Sequence, residues 1–522
     1  MRNPAAPLVA PLLIAACAGI AAPSIAATAS PPKGPAAPNA VSNMDISHPM
    51  DVNALHMDLT NFGAFAYDLA GGTNFGLRFP KDSPNGVVFA SGLWLGALVQ
   101  SGARVTVAEY SQEYRPGSAL SGVPESPGLV QLQTWELQRT YTSTIDRDAA
   151  RDDYDNNAVS RGAPAVAILP DGSLDISGDR MSWSVYNDFT PSAHVDEAGS
   201  TAPLGVEVQQ TTWAYDRPGP FGNSVFMRFK IINRGSQVLD DMHVAFWADP
   251  DLGNFSDDLV GCDSTRSLGY CYNGANTDAL YGSTPPAVGY DMLQGPYSAA
   301  RGARLPMTAF MGYRNGDDPL SATGSFRNMH GLDRLGNVVL DPQSQPTRFM
   351  FAGDPVAGTG WVDGLATDKR MLLSAGPITM SPNDVQEVVL AIIVARGSDR
   401  LDSVHLLADY DQTIQTAFDT NTLGLLDVGD RTGARLALAP VYPNPARGEL
   451  SVALSLPASG PATLELLDLA GRRVAVRAIP AAGPGPRTES FAREARSLPA
   501  GMYFVRLSQS GASVVRRVVL LP

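Results

Sequence analysis

Long apolar runs are missing from this chain of 522 residues beyond its first 26. None approaches the roughly 18 residues that a transmembrane helix needs, so we expect no transmembrane segment in the mature protein. Lysine is also scarce, with four residues in all, and the formal net charge is −14. Because binding to phosphates requires a basic surface, this charge argues against nucleic acids and anionic membranes as partners.

Familiar catalytic motifs are absent as well. The sequence has no Gly-x-Ser-x-Gly nucleophile elbow, no Walker loop, no His-Glu-x-x-His and no Cys-x-x-Cys. Its six histidines are scattered, and none lies at zinc-ligand spacing from another: His48, His56, His194, His243, His330 and His405. We therefore predict surface or core roles for the histidines, and the sequence favours a non-catalytic protein.

Residues 51–425 have the pattern of an all-β region, in which apolar or alternating segments are separated by polar and glycine-rich turns. The predicted strands cover 87–99, 104–110, 206–215, 226–233, 242–249 and 385–395. Segments 226–233 and 242–249 predict neighbouring antiparallel strands, and the apolar run 385–395 predicts a central strand. All the tryptophans lie in this region, and we expect most of them to pack between sheets. They are Trp94, Trp135, Trp183, Trp213, Trp247 and Trp361.

One segment departs from the β pattern. After Ser398 and Asp399, either of which is a suitable N-cap, apolar residues recur at helical spacing: Leu401, Val404, Leu406, Leu407, Tyr410, Ile414 and Phe418. This spacing predicts a helix over about 399–420 that packs on the sheets and ends the large domain. Residues 426–440 then form a linker that contains glycine.

The N-terminus has the pattern of an export signal. One basic residue, Arg2, precedes an apolar stretch over 8–22 that ends in small residues before Ala26. The sequence predicts a signal peptide over 1–26 and a flexible leader rich in alanine and proline over 27–50. The alternative is a lipoprotein box, which would leave Cys17 acylated at the mature N-terminus.

Segment 441–522 carries the most informative motifs. Tyr-Pro-Asn-Pro at 442–445 precedes the first strand, Leu-Leu-Asp-Leu-Ala-Gly-Arg at 466–472 includes a hairpin turn, and Leu-Pro-Ala-Gly-Met-Tyr-Phe-Val at 498–505 leads into a late strand. Short strands at such regular spacing predict a small β-sandwich. The predicted fold class is therefore all-β: a large β-sandwich-type domain with one late helix, followed by a small Ig-like β-sandwich.

These motifs resemble the C-terminal sorting domain of proteins exported by the bacterial type IX secretion system, and the related Ig-like domain of flagellar hook-cap proteins. The resemblance implies that outer-membrane secretion machinery recognises residues 441–522. It also implies a location outside the cell, or on the outer surface, of a Gram-negative-type bacterium. Within the large region, segments 183–188, 203–210, 249–253 and 285–291 resemble blocks of large secreted proteins that have no established activity.

An Asp-rich loop follows the predicted strand 242–249. Its closely spaced carboxylates are Asp249, Asp251, Asp257, Asp258 and Asp263. Calcium takes about six to eight oxygen ligands, and such a loop offers hard oxygens at that density. The loop therefore predicts a Ca²⁺ site, with an Asp-rich turn capped by its own side chains as the alternative.

Two cysteines, Cys262 and Cys271, remain if Cys17 leaves with the signal peptide. An even pair in an oxidising compartment predicts a disulfide, which would close a flap over the Asp-rich loop. Two buried, reduced cysteines are the alternative.

The sequence thus favours a secreted or cell-surface, non-catalytic β-rich protein that is stabilised by calcium and has a structural or binding role. A glycan or a surface protein would be its partner. The alternative is an extracellular polysaccharide-acting hydrolase or lectin. Its groove would combine Trp94, Trp135, Trp213 or Trp361 with an acidic pair, Asp152/Asp153, Asp240/Asp241 or Asp317/Asp318. Exposed tryptophans in a line beside paired carboxylates would favour the alternative, whereas buried tryptophans would favour the non-catalytic protein.

Overall fold

A computed structural model describes the following residues: 49–68, 74–125, 134–420, 437–438, 446–447, 450–456, 460–482, 485–491, 498–510 and 512–521. The predicted signal peptide 1–26, nearly all of the leader 27–50 and most of the linker 426–440 lie outside the described residues. Strands account for 44% of the structure and helices for 14%, which confirms the predicted all-β fold.

The larger of two main sheets, which we call the first sheet, has nine antiparallel strands. In spatial order eight of them are Asp258–Asp263, Leu268–Asn273, Ala287–Gln294, Val385–Ala395, Ser224–Asn233, Val206–Ala214, Arg180–Asn187 and Arg115–Pro116. The ninth strand, Trp135–Gln138, also pairs with Arg180–Asn187. Val385–Ala395 is therefore a central strand, as the sequence predicts.

The second sheet has six strands and packs face to face on the first. Five of its strands, in spatial order, are Ala309–Arg314, Lys369–Met380, Leu239–Asp249, Ala90–Val99 and Ala64–Phe65, and Gly102–Thr106 pairs with Ala90–Val99. Side chains from the two sheets meet in one buried core, where the rings of Phe229 and Phe246 lie 5.1 Å apart. The arrangement is a β-sandwich.

The predicted pairing of 226–233 with 242–249 is wrong. Strand Ser224–Asn233 pairs with Val206–Ala214 and Val385–Ala395, whereas Leu239–Asp249 belongs to the opposite sheet. The chain crosses from one sheet to the other between these strands. Both segments are apolar and β-branched, and this local pattern does not distinguish a hairpin from a crossover between packed sheets.

The first sheet is buried on both faces, which explains why 385–395 is a continuous apolar run. Val388, Leu390 and Ile392 lie in the core between the sheets. Val389 and Ile393 point to a second core on the other face.

Helices α1 (Thr144–Asn157) and α3 (Arg400–Asp419) cover this outer face and contribute to the second core. Helix α2 (Ala322–Met329) packs instead on the second sheet. Helix α3 confirms the predicted helix, and the carboxylate of Asp399 caps it by accepting hydrogen bonds from the backbone of Leu401 and Asp402. Helix α1 is almost entirely polar, and Tyr154 is its buried residue. The sequence therefore has no periodic apolar residues that would predict this helix.

Short strands extend the structure at its edges. They are His56–Met57, Leu77–Arg78 and Gly86–Val88 in one small sheet, Tyr297–Ser298 with Ala303–Arg304, and Val339–Leu340 with Pro346–Thr347. Among the described residues, no helix has both the length and the apolar character needed to cross a membrane.

The C-terminal segment forms two sheets around a third core. One contains Ala437–Leu438, Ser451–Leu456 and Gly485–Ser490, and the other contains Arg473–Ala482, Gly460–Leu467, Gly501–Gln509 and Ala512–Leu520. The predicted hairpin turn is present: the backbone N–H of Gly471 donates to the carbonyl of Asp468 at 2.9 Å, and Gly471 has φ +74°. Such a φ is unfavourable for residues with a Cβ, which accounts for the glycine.

Candidate functional site

Three aspartates meet where strand Leu239–Asp249 ends and strand Lys369–Met380 begins. Carboxylate oxygens of Asp249, Asp251 and Asp368 lie within 4.8 Å of one another. Asp249 and Asp251 are both buried, with 0% and 3% exposure. The two strands pair in register beside them, so the sheet fixes the position of Asp368 relative to the other two aspartates. We call this group the Asp249 cluster.

A buried arginine partly neutralises the Asp249 cluster. Nη1 of Arg370 lies 2.6 Å from Oδ1 of Asp249 and also contacts the carboxylate of Asp368. The hydroxyl of Tyr110 donates to the other oxygen of Asp249 at 2.6 Å. Three carboxylates and one guanidinium leave a formal charge of −2, which matches one divalent cation.

The other three predicted ligands are held elsewhere. Asp258 is fully buried and accepts a hydrogen bond from the backbone N–H of Leu252 at 3.1 Å. Burial raises the pKa of Asp258 well above its usual range, and burial followed by the charge of Asp278 raises the pKa of Asp257. Asp263 lies at a hairpin turn and pairs with Arg266 at 3.2 Å. The structure thus brings two of the five predicted aspartates together and adds Asp368, which sequence spacing could not indicate.

The predicted Cys262–Cys271 disulfide is absent, and both cysteines are buried free thiols. They lie on paired strands, but Cys262 is opposite Gly269 and Cys271 is opposite Val260. This offset makes them diagonal neighbours, and diagonal Cα atoms in a sheet are about 7–8 Å apart, beyond the usual reach of a disulfide. The flap predicted over the Asp-rich loop is instead an ordinary hairpin of the first sheet.

A pocket of about 500 Å³ opens beside Trp361, and we call it the Trp361 pocket. Its apolar wall consists of Met311, Tyr313, Met350, Phe351, Trp361, Leu335 and Leu365. The rings of Phe351 and Trp361 pack edge to face at 5.0 Å. Leu335 and Leu365 are 72% and 55% exposed, so the mouth of the pocket is apolar.

Polar groups lie among these apolar side chains. Lys369 and Asp363 form a buried ion pair at 2.7 Å. Asn328 is 3% exposed, and its side-chain oxygen has no hydrogen-bond donor among the described residues. At the rim, Arg314 donates to Asp317 at 2.8 Å. The pocket therefore combines an aromatic surface with unsatisfied and charged polar groups.

A second cavity, of about 360 Å³, is lined by Glu109, Asp196 and Asp318 together with Arg370. We call it the Glu109 cavity. Burial is the main cause that raises the pKa of each of these three carboxyls, and for Glu109 the charges of Asp196 and Asp318 raise it further. Asp196 and Asp318 each accept a backbone hydrogen bond at 2.9 Å, from Ala198 and Gly316 respectively.

Most tryptophans are not available to a ligand. Trp94, Trp135, Trp183, Trp213 and Trp247 are buried, and Trp361 is the half-exposed one.

The acidic pairs named from the sequence also have local partners. Asp152 and Asp153 lie on the polar surface of α1 beside Arg151 and Asn157. Asp240 accepts from Thr379 at 2.8 Å, and Asp241 contacts His330. Asp317 lines the Trp361 pocket, whereas Asp318 lines the Glu109 cavity. Asp317 and Asp318 thus each join other carboxyls around a cavity: Asp333 and Asp363 in the Trp361 pocket, and Glu109 and Asp196 in the Glu109 cavity.

Several solved structures are similar to this chain at low sequence identity. A polysaccharide lyase is matched at 8% identity over 60% of this chain and 34% of its own, with a TM-score of 0.19. A bacterial glucoamylase complexed with acarbose is matched at 8% identity over 72% of this chain and 35% of its own, with a TM-score of 0.30. PorZ, a surface component of the type IX secretion system of Porphyromonas gingivalis, has 11% identity over 69% and 46%, with a TM-score of 0.13. The chain spans about a third of the length of the first two proteins, and these TM-scores are too low to support an argument.

Comparison with curated proteins finds no match. Comparison with family models is informative: residues 440–521 match the family described as the secretion system C-terminal sorting domain. This match confirms the resemblance carried by the motifs at 442–445, 466–472 and 498–505. Residues 440–521 are therefore a type IX C-terminal sorting domain, and the protein is exported to the cell surface or the extracellular space.

Proposed function

We propose that this exported protein is a non-catalytic binding protein whose ligand occupies the Trp361 pocket. The observation that carries the proposal is the composition of that pocket. At about 500 Å³ it has the size of a small-ligand site, and its wall is mainly aromatic and aliphatic. Its base is formed by the strands Ala309–Arg314 and Lys369–Met380, so a rigid sheet positions the side chains.

The polar groups of the pocket suit a glycan. A sugar ring can pack its C–H face on an aromatic ring such as Trp361, while its hydroxyls bond to amide, carboxylate and guanidinium groups. Asn328, Asp317 and Arg314 supply such groups at the base and the rim. The burial of the other tryptophans argues against an extended aromatic groove for a long polysaccharide, so we expect a short oligosaccharide or a chain end to bind.

Isothermal titration calorimetry tests the proposal. Hexasaccharides of β-1,4-linked glucose, xylose and N-acetylglucosamine would be titrated against the secreted protein while the heat of binding is recorded. We expect one of these sugars to bind the wild type and Tyr297→Ala, whose tyrosine is exposed outside the pocket. Trp361→Ala should lose binding while keeping its melting temperature. Equal binding by the wild type and Trp361→Ala, or binding of none of the three sugars, would contradict a glycan site in this pocket.

One observation supports a second candidate, the polysaccharide-acting hydrolase. The Glu109 cavity is lined by three carboxyls with raised pKa values. One of them is Glu109, which burial keeps protonated at pH values above its usual pKa. A glycoside hydrolase needs such a general acid beside a second carboxylate. Release of reducing ends by the wild type and by Glu197→Gln, but not by Glu109→Gln, would favour this candidate. Glu197 is the matched control because it lines the same cavity but is exposed.

The calcium site that we propose has fewer aspartate ligands than the sequence suggests. We propose that Asp251 and Asp368 hold the ion beside Asp249, whose charge is already shared with Arg370. The remaining formal charge of −2 and the hard oxygen ligands both suit Ca²⁺. Binding there would tie the Asp-rich loop to the second sheet and stabilise the exported protein.

A further inference from the structure

Two histidines that lie far apart in the sequence meet an aspartate at one edge of the second sheet. Asp241 and His243 belong to strand Leu239–Asp249, and His330 follows the last residue of helix α2. One potential metal-ligand atom from each of Asp241, His243 and His330 lies within 4.8 Å of the other two. The rings of His243 and His330 have their centroids 4.0 Å apart.

The backbone is distorted at this point. Asp241 has φ +48°, in the left-handed region that residues with a Cβ seldom adopt. The pairing of its strand shifts register on both sides, between Leu239 and Val244 on one edge and between Asp240 and His243 on the other. Bulges of this kind redirect side chains and are frequent beside functional sites. Here the bulge places Asp241 next to His330.

A glycine makes room for the buried histidine. A Cβ at Gly376 would lie 2.4 Å from Cδ2 of His243, so any larger residue would displace the ring. On the other side, Phe326 of α2 packs edge to face against both histidine rings. Neighbouring strands and the helix therefore hold the histidines in place.

Both histidines have the same ring nitrogen tied to the backbone. Nδ1 of His243 lies 3.0 Å from the carbonyl oxygen of Asp241, and Nδ1 of His330 lies 2.7 Å from that of Phe326. Carbonyls only accept hydrogen bonds, so each Nδ1 carries a proton, and Nε2 is the nitrogen that can bind a metal. Histidines that bind metals usually have their other N–H held in this way.

The two Nε2 atoms are in different situations. Nδ1 of His243 donates its proton to the carbonyl of Asp241, so in the neutral ring Nε2 keeps its lone pair. No described residue donates a hydrogen bond to this atom, although the side chain is only 3% exposed. Nε2 of His330 lies 3.0 Å from Oδ2 of Asp241, so one metal ion could reach both atoms.

We propose that Asp241, His243 and His330 form a binding site for a divalent transition metal of the zinc class. Two imidazoles and one carboxylate suit Zn²⁺ and disfavour Ca²⁺ or Mg²⁺, which prefer oxygen ligands alone. Bonds of about 2.0–2.1 Å place tetrahedral ligands about 3.4 Å apart, so small side-chain rotations would close the present spacing. His330 and Asp241 are 24% and 30% exposed, so a fourth position faces solvent.

Zinc titration of the secreted protein, prepared without a polyhistidine tag and freed of metal by a chelator, tests this site. We expect one equivalent of Zn²⁺ to bind and to raise the melting temperature. His330→Gln should weaken binding by at least about tenfold, since even the loss of a group behind a ligand costs about 10–100-fold. Asp241→Asn should do the same. Both side chains are half-exposed, so these variants should fold.

His405→Gln is the matched control. His405 lies 3.8 Å from Asp409 on the surface of α3, so it is also a histidine beside an aspartate, but it is 62% exposed and outside the cluster. The His405→Gln variant should bind zinc with the same affinity as the wild type. X-ray absorption of the zinc complex should show two imidazole nitrogens. Equal affinity in the wild type and His330→Gln, or a zinc shell without imidazole, would overturn the proposal and leave His330 and Asp241 as an ion pair.

Discussion

The guanidinium of Arg370 lies 2.6 Å from the carboxylate of Asp249, and both side chains are almost fully buried. This contact changes the interpretation of the Asp-rich loop. From the sequence, the loop is an array of negative charges that needs a cation from outside. In the structure Arg370, on another strand, neutralises part of this negative charge. An added cation has to neutralise only the charge that remains. Removal of one partner of such a buried pair typically costs about 3–5 kcal/mol.

The first prediction concerns calcium. Calcium near millimolar concentration should raise the melting temperature of the exported protein, because an ion bound only to the folded state stabilises it by about 2.7 kcal/mol at a hundredfold excess over Kd. Asp251→Asn should abolish the increase, since Asp251 belongs to the Asp249 cluster. Asp263→Asn should keep it, because Asp263 pairs with Arg266 at a distant turn. A melting curve indifferent to calcium and to chelator would contradict the site.

The second prediction concerns the thiols. Burial raises the pKa of Cys262 and of Cys271, and the sheet register keeps the two apart. Both should therefore resist iodoacetamide in the native protein and react fully in denaturant without prior reduction, as measured by intact mass. A crosslinked peptide in the unreduced digest would instead restore the disulfide that the cysteine count suggests.

Local patterns were sufficient for part of this fold. The strand Val385–Ala395 was predictable from a continuous apolar run, and the helix Arg400–Asp419 from apolar residues at helical spacing. Both patterns involve residues that are close together in the sequence. The C-terminal strands were predictable for the same reason, and their motifs identified the sorting domain that the family comparison confirms.

Long-range contacts were not predictable. The sheet to which a strand belongs depends on residues far away in the chain, so 226–233 and 242–249 looked like a hairpin. The same limit applies to the sites. Asp368 joins Asp249 and Asp251 only because strands Leu239–Asp249 and Lys369–Met380 pair. His243 and His330 meet only because α2 packs against the second sheet. The spacing of these residues in the sequence predicts neither the aspartate cluster nor the histidine pair.

The third prediction concerns export. Deleting residues 437–522 should leave the protein in the periplasm, because the sorting domain is lost while the two cores of the large region remain complete. Protease treatment of intact cells, followed by immunoblotting, would measure surface exposure. Fusing residues 437–522 to an unrelated periplasmic protein is the reciprocal control and should move that protein to the surface. Surface display of the truncated protein would contradict the role of this segment.

The last prediction concerns a buried pair of acids that holds α3 on the first sheet. Asp291 lies on strand Ala287–Gln294 and is fully buried, and neither of its carboxyl oxygens has a hydrogen-bond donor among the described residues. Burial, followed by the charge of Asp411 on α3, raises the pKa of Asp291 well above its usual range, and burial also raises the pKa of Asp411. We infer that Asp291 keeps its proton and donates it to Asp411 in the folded protein.

This arrangement fixes the sign of the pH dependence. The folded state holds the proton of Asp291 more tightly than the unfolded state, whose aspartates titrate near about 3.9. The stabilisation is therefore complete below that pH and is lost as the pH rises through the raised pKa of the folded state. Asp291→Asn keeps a donor without the ionisable proton, so it should gain stability over the wild type between pH 5 and pH 8. The gain should be about 1.4 kcal/mol for each pH unit in that interval that lies below the raised pKa of Asp291. Urea unfolding at the two pH values measures this, with the exposed Asp409→Asn on α3 as the control. The same difference between wild type and Asp291→Asn at both pH values would show that Asp291 does not hold a proton.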